Sequence, residues 1–356
     1  MTGRLAIVSL LALFLTGIAA AEKPAPIELG FKQDKVYSFG SLDNVNLFNG
    51  NMIFTIPLGM QYPVSSNFSY GLTLVYNSKA WDYFYVEAFS DPKDRRAWSK
   101  PNVRSNAGMG WRVSLGRLIP PAAFTSTRGY SEVDSDFWTY EGPGGEEHSL
   151  AVRGSTATVS LSTDAGREAL DDASLRMVVI SSTSRQIQFP NGDVHTFTYE
   201  RNSWRLTKMV DAFNNYVNVA YTYDGTTDRT TAWTLTDIHG RVHTVSFVNS
   251  AYMAETIDRG QIVSSITTRG IGATTTNVTY TFNYNSAASV QYGCEHTVPM
   301  NSTDFSPSPT TARATVPLLT SVSLPDGSNW TFDYYYDSTT DSTCSSGLLK
   351  DVTLPT

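Results

Sequence analysis

Apolar and polar residues alternate with a period of two along most of this chain. NLFNGNMIFTIPLG (46–59) places Ile53, Thr55 and Pro57 against Phe54, Ile56 and Leu58 after an Asn-Gly pair. FSYGLTLVYNS (68–78) puts Leu72, Leu74 and Tyr76 on one side, and GMGWRVSLGRLIPP (108–121) continues the pattern up to a double proline. Successive side chains of a strand point to opposite faces, so this spacing predicts strands, and Asn-Gly between alternating segments predicts a hairpin. Residues 126–184 are more polar and Gly-rich. DSDFWTYEGPGGEEHSL and TATVSLSTD read as short strands and turns, and AGREALDDASLRM (165–177) as one short helix or a polar loop. The 3.6-residue apolar period of a long helix is scarce, so the fold class predicted is all-β.

From about residue 185 one frame recurs. Gly192 is followed by Phe197 and Tyr199 five and seven positions on; Asn214 by Val219 and Tyr221; Gly240 by Val245 and Phe247; Gly327 by Phe332 and Tyr334. The first position suits a turn residue with positive φ, which glycine adopts without cost and asparagine tolerates. The later two share a strand face. Each copy is thus predicted to be a strand-turn-strand unit burying an apolar or aromatic row against its neighbour. The interval from Gly240 to Gly327 has room for about three more units, and NVTYTFNYN (277–285) is a strand within it. LLTSVSLPDG (318–327) and LLKDVTLPT (348–356) share one pattern, the second stopping where turn residues are due, so a truncated array is expected.

The first residues depart from the alternation. Arg4, an apolar run from Leu5 to Ile18 and Ala19-Ala20-Ala21 predict a secretory signal ending at about Ala21. No later stretch is long and apolar enough to cross a bilayer, so a secreted, periplasmic or cell-surface protein is expected. The segments read as signal 1–21, linker and entry strand 22–44, an N-terminal β-rich region 45–184, and repeats over 185–356.

Composition agrees with strands: 19 Tyr, 17 Phe and 7 Trp in 356 residues, with 17% charged. Loss of Arg4 with the signal takes the formal charge from −7 to −8, and an acidic chain without a basic stripe is a poor nucleic-acid binder. The two cysteines, Cys294 and Cys344, can form a disulfide in an oxidising compartment or remain buried thiols.

Candidate chemistry is thin. Glu146-Glu147-His148 follows Gly-Pro-Gly-Gly and reads as a solvated loop. Asp237, His239 and His243 could ligate a metal, but the repeat frame divides them between a turn and the strand after it. Asp211, Asp237 and Asp326 sit at turns, where a carboxylate bonds nearby backbone N–H groups; the alternative is a glycosidase carboxylate pair. The Gly-x-Gly of GMGWR lacks a following helix, so it does not read as a dinucleotide site. Trp81, Tyr83 and Tyr85 could stack on sugars, though their alternation also describes a strand face. N-x-[S/T] sequons occur at Asn67, Asn277, Asn301 and Asn329. No catalytic residue, cofactor site or metal site is assigned.

Tyr199-Glu200, Arg205-Leu206, Asp211-Ala-Phe-Asn214-Asn215 and Tyr221-Thr-Tyr223-Asp224 together resemble the Rhs/YD repeat, whose usual form runs YDxxGRL, DxxGN, YxYD. Here Glu200 replaces the first aspartate, Trp204 a glycine, and Asn214 the turn glycine. The segments NLFNGNMIFTIPLG, LTLVYNS and GMGWRVSLGRL resemble the region preceding such arrays in bacterial Rhs proteins. The resemblance covers roughly 45–120 and 185–356. It implies an antiparallel β-ribbon spiralling into a shell around a cargo, often the protein's own toxic C-terminus. It further implies that the partners are the remaining repeats and a toxin domain lying outside this chain. The function expected is a non-catalytic, exported shell or surface segment that could also contact a cell-surface glycan or protein. The alternative is a secreted carbohydrate-binding or glycoside-hydrolysing β-protein.

Overall fold

The computed structural model describes residues 37–39, 42–46, 50–87, 95–102, 104–121, 137–151, 167–169, 173–201, 203–227, 229–250, 261–270, 276–291, 313–336 and 346–355. Among these residues every regular element is a strand, and no helix is long and apolar enough to cross a membrane. The segment 1–21, the TATVSLSTD stretch, both cysteines and Asn301 lie outside the described residues.

An N-terminal antiparallel sheet has the order β1 (Tyr37–Phe39), β2 (Asp43–Asn46), β3 (Met52–Pro63), β4 (Ser69–Asn77) and β7 (Trp111–Ser114). Gly50, of the predicted Asn-Gly turn between β2 and β3, has φ 69°. A separate hairpin pairs β5 (Trp81–Glu87) with β6 (Arg95–Pro101).

All other strands belong to one sheet, and part of it closes on itself. β8 (Arg117–Ile119), β9 (Trp138–Glu141), β10 (Glu147–Ala151), β11 (Arg167–Ala169), β12 (Arg176–Ser181), β13 (Ser184–Gln188), β14 (Val194–Glu200) and β15 (Ser203–Val210) pair in succession. β15 then returns to β8 through Trp204 opposite Leu118. The result is a closed antiparallel ring of eight strands, a size whose interior side chains can fill. Trp138, Tyr140, Leu150, Met177, Ile187, Phe197 and Trp204 are all buried.

The far half of β15 leaves the ring. Lys208, Met209 and Val210 pair with Asn218, Val217 and Tyr216 of β16 (Tyr216–Tyr223). A ribbon follows in chain order: β17 (Thr230–Asp237), β18 (Val242–Asn249), β19 (Gln261–Arg269), β20 (Asn277–Gln291), β21 (Arg313–Ser323), β22 (Asn329–Tyr334) and β23 (Leu349–Thr353). The ladder passes residue 185 without a break, since β12 pairs β13 and β13 pairs β14. The room between Gly240 and Gly327 is occupied by the long strands β19, β20 and β21.

Two expectations for the polar middle region change. Glu147 and His148 are not in a solvated loop: they lie in β10 and are buried. Arg167–Ala169 and Arg176 onward are strands rather than a helix or a polar loop, and Arg167 is 2% exposed. Ring closure explains both results. A short polar strand gains neighbours on each edge, and its charges meet partners that sequence spacing does not reveal.

The N-terminal sheet packs on the ribbon. Trp111, fully buried, lies among Tyr76, Phe54 and Phe332, with ring centroids at 5.1, 6.3 and 4.6 Å. Its indole N–H donates to Tyr334 Oη (2.8 Å), and Tyr334 donates to Leu319 O (2.6 Å). One continuous apolar core therefore joins the first sheet, the ring and the ribbon.

Candidate functional site: the repeat turns and the strap across them

The four predicted turn residues share one backbone geometry. Gly192, Asn214, Gly240 and Gly327 have φ of 90°, 65°, 73° and 89°. Each donates its N–H to the carbonyl three residues back, at Phe189, Asp211, Asp237 and Leu324, over 2.9–3.1 Å. Phe189, Asp211, Asp237 and Leu324 in turn donate their own N–H to the carbonyl four residues on, at Asp193, Asn215, Arg241 and Ser328. This is a tight turn closed by a left-handed residue that matches strand twist. A fifth copy was not anticipated: Gly145, φ 90°, donates to Gly142 O, and Gly142 to Glu146 O.

Two chemistries build this turn. Phe189-Pro190-Asn191-Gly192, Leu324-Pro325-Asp326-Gly327 and Gly142-Pro143-Gly144-Gly145 place proline second, where its fixed φ suits the bend. Asp211 and Asp237 instead occupy the first position. Asp211 Oδ1 accepts from the N–H of Phe213 (2.8 Å) and Asn215 (2.9 Å). Asp237 Oδ1 accepts from His239 (2.9 Å) and Arg241 (3.0 Å). A Cβ at Gly240 or Gly327 would meet nothing within 4 Å, whereas one at Gly192 would lie 2.9 Å from Ala212 Cβ. Alanine at Gly240 or Gly327 should therefore cost about 1 kcal/mol of left-handed strain, and at Gly192 about 2 kcal/mol, ranked by urea unfolding.

The strand positions of the frame point inward. Phe197, Val219, Val245 and Phe332 are buried, as are Phe247 and Tyr334; Tyr199 and Tyr221 are half-buried against the core. Tyr221 and Tyr334 share a further role. Each donates its hydroxyl to the carbonyl fifteen residues earlier, Leu206 O (2.8 Å) and Leu319 O (2.6 Å), pinning one strand to a preceding one. Tyr223 Oη donates to Glu200.

Trp204 sits at the fork of the sheet. It is buried where β15 meets β8, 5.5 Å from the Trp138 ring, and the Arg185 guanidinium lies 4.3 Å from its centroid.

The tip of the β3–β4 hairpin crosses the turns as a strap. Ser65 Oγ donates to Asp211 Oδ2 (2.8 Å). Tyr70 Oη donates to Asp237 Oδ2 (3.0 Å), and Tyr62 Oη to Arg269 O (2.6 Å). His239 Nε2 donates to Val64 O (2.9 Å), and Arg241 to Pro63 O. Asp211 and Asp237 thus each hold the turn backbone with Oδ1 and reach the strap with Oδ2. Of Asp237, His239 and His243, weighed above as metal ligands, Asp237 and His243 both bond Tyr70 Oη and His239 bonds Val64 O. Among the described residues no group of three or more His, Cys, Asp or Glu is arranged to hold a metal.

His243 completes this network. Its Nδ1 accepts from Arg269 N–H (3.2 Å), so the neutral ring carries its proton on Nε2 and donates to Tyr70 Oη (2.7 Å). Burial lowers the His243 pKa to about 4, against a weaker opposing pull from Asp237. Burial likewise lowers His195, beside Tyr140, to about 4. Burial works to raise the Asp237 carboxyl, but hydrogen bonds from Arg241 and Tyr70 hold it below the usual carboxylate range.

A histidine whose folded pKa lies below its unfolded value of about 6.5 binds its proton more readily once unfolded. Stability contributed by His243 and His195 is therefore full above pH 6.5 and lost as pH falls towards 4. We expect about 2 kcal/mol from each, read as a falling urea midpoint between pH 7 and pH 4. His243→Gln should remove about half of that slope.

The other candidates are placed as follows. Trp81 is buried and donates its indole N–H to Ser346 O (3.0 Å), so it offers no face to a sugar. The side chains of Tyr83 and Tyr85 lie outside the described residues. Asn67, Asn277 and Asn329 are exposed. Asp326 Oδ1 accepts from Ser328 N–H (3.0 Å) within its own turn.

The chain matches no family profile and no curated protein. Among solved structures it is similar to TcdB2-TccC3-TEV, with TM-score 0.44, 12% identity, and coverage of 89% of this chain and 17% of that one. It is also similar to TcdB2-TccC3 without its hypervariable C-terminal region, with TM-score 0.43, 12% identity, and coverage of 88% and 17%. A third is the Photorhabdus luminescens Tc holotoxin pore carrying a TccC3 mutation, with TM-score 0.45, 12% identity, and coverage of 86% and 16%. The chain spans about one-sixth of the length of these proteins. At 12% identity the likeness assigns neither activity nor partner.

Sequence reasoning missed three features: the fifth turn, the second role of the turn aspartates and the ring. Only the first left a local signal, the Pro-Gly-Gly of GPGG in the frame of the other proline turns.

Proposed function

We propose that this chain is a non-catalytic wall segment of an exported Rhs/YD-type β-shell, serving toxin encapsulation and delivery or cell-surface contact. The observation that carries this reading is the recurrence of one unit. The same turn geometry appears five times, and tyrosines fifteen residues from their acceptors stitch strand to strand. Such units act as building material, because each buries its apolar face only against the next. Side chains that chemistry would need, Asp211, Asp237 and His243, are spent on holding the strap. Further repeats and a toxin domain from the same polypeptide are its natural partners, and the signal-like N-terminus supplies its route of export.

The test is expression of the full chain in a bacterium, with N-terminal sequencing of the exported form, a glycan array and a broad glycosidase screen. A start near Glu22, with no glycan capture and no hydrolysis, is expected. Hydrolysis by the purified chain would overturn the non-catalytic reading, and retention in the cytoplasm would overturn the exported one.

A further inference from the structure

The strap carries no charge of its own. From Asn44 to Ser78, which spans β3, β4 and the tip between them, the sequence has no Asp, Glu, Lys, Arg or His. The charged and imidazole groups that hydrogen-bond the tip are Asp211, Asp237, His239, Arg241 and His243, all on the ribbon side. The tip is also set off from the rest of its hairpin. Pairing passes from Leu58↔Leu72 to Tyr62↔Tyr70, so residues 59–61 face Gly71 alone, and Gly59 has φ 86°. Beyond this bulge the two strands pair only through Tyr62↔Tyr70 and Pro63↔Ser69.

His243 lies under this tip, and its surroundings fit one protonation state. It is 1% exposed, with its ring centroid 4.2 Å from that of Tyr62 and 5.4 Å from that of Tyr70. The titratable and charged groups that face it are Tyr62 on β3, Tyr70 on β4, Asp237 and Arg241 at the β17–β18 turn, and Arg269 on β19. Nδ1 accepts the Arg269 N–H, so a second ring proton would set two donors against each other across 3.2 Å. It would also place a positive charge near Arg241 and Arg269. Asp237 pulls the other way, but its Oδ2 is already held by Tyr70 and Arg241. A buried charge without its own partner is costly, so the protonated ring needs water. The tip is the least costly barrier to remove. β18 and β19 are laddered on both edges, whereas the tip is held to the ribbon by side-chain hydrogen bonds.

We propose that the β3–β4 tip is an acid-opened clasp: protonation of His243 releases residues 60–70 from the ribbon by a swing about Gly59 and Gly71. Release uncovers Tyr62, Val64, Phe68 and Tyr70, all buried in the closed form, as an uncharged and mostly aromatic surface. The ring and the rest of the ribbon stay folded. His239 is not the trigger, because its Nε2 donates to Val64 O in either protonation state. His195 lies in the ring beside Tyr140, away from the tip.

Hydrogen exchange of the full chain, corrected for the pH dependence of the intrinsic rate, tests this. Two cross-strand pairs cannot hold a detached tip together, so the Val64 and Ser65 N–H groups, which donate to Phe68 O, exchange when it opens. Uptake of one proton on opening predicts that their protection, and that of the Arg269 amide, falls about tenfold per pH unit between about pH 6.5 and pH 4. β20 and β21 should stay protected throughout. His243→Gln should flatten the slope and His239→Gln should keep it. His243→Met serves if the glutamine variant does not fold; the slope rather than the absolute protection is read, so a variant that loosens the tip still decides. Tip protection independent of pH, β20 and β21 losing protection in parallel with the tip, a slope that persists without His243, or a slope lost with His239 would overturn the proposal.

Discussion

Trp111→Ala is expected to destabilise the protein by about 4 kcal/mol, among the largest effects available to a single substitution here. The side chain is fully buried, with Phe54, Tyr76 and Phe332 around it, so alanine leaves a cavity that the rigid sheets on either side cannot close. Trp111→Phe separates packing from hydrogen bonding. It keeps an aromatic ring and loses the N–H donated to Tyr334, whose own bond to Leu319 O persists. That variant should cost about 1 kcal/mol. Chemical denaturation followed by tryptophan fluorescence and circular dichroism measures both. Near-equal small losses would mean that the N-terminal sheet does not rest on β22, and the single continuous core would be wrong.

Asp237→Ala should cost about 3 kcal/mol. Asp237 is 2% exposed and accepts four hydrogen bonds: two from the backbone of its own turn, one from Tyr70 and one from Arg241 Nε at 2.5 Å. Alanine opens the turn and leaves Arg241 beside His243 without its carboxylate. Asp326→Ala is the internal control. Asp326 is exposed and serves only its own turn, so its loss should stay within about 1 kcal/mol. Hydrogen exchange adds a spatial reading: Asp237→Ala should release the β3–β4 tip as well as the β17–β18 turn, whereas Asp326→Ala should leave the tip protected. Equal protection of the tip in both variants would show that the strap does not depend on the turn aspartates.

These two residues differ in how far they can be read from sequence. Asp237 at the head of Asp-Ile-His-Gly signals a turn because its carboxylate reaches backbone N–H groups two and four residues away, a purely local matter. Its second oxygen, held by Tyr70 from a strand 167 residues earlier, has no local signature. Trp111 in an alternating segment announces a buried strand position, but not that Tyr334 lies 223 residues on at its indole nitrogen. Glu147 and His148 show the reverse failure. Beside Gly-Pro-Gly-Gly they resemble solvated loop residues, and only Arg104, brought in by the N-terminal loop, makes burial of that carboxylate tolerable. The pairing of Trp204 with Leu118, across the ring closure, likewise has no local signature.

What the chain encodes locally is therefore the all-β class, the recurring turn and the inward row of Phe197, Val219, Val245 and Phe332. Each follows from period-two alternation and from the few residues that accept positive φ. The tertiary structure decided that eight of the strands close into a ring and that β15 forks between ring and ribbon. It also decided that the β3–β4 tip straps the turns. The physical reason is the range of the interactions. A turn is set by contacts within about five residues, whereas strand partners are selected by burial against segments a hundred or more positions away, which no local pattern specifies.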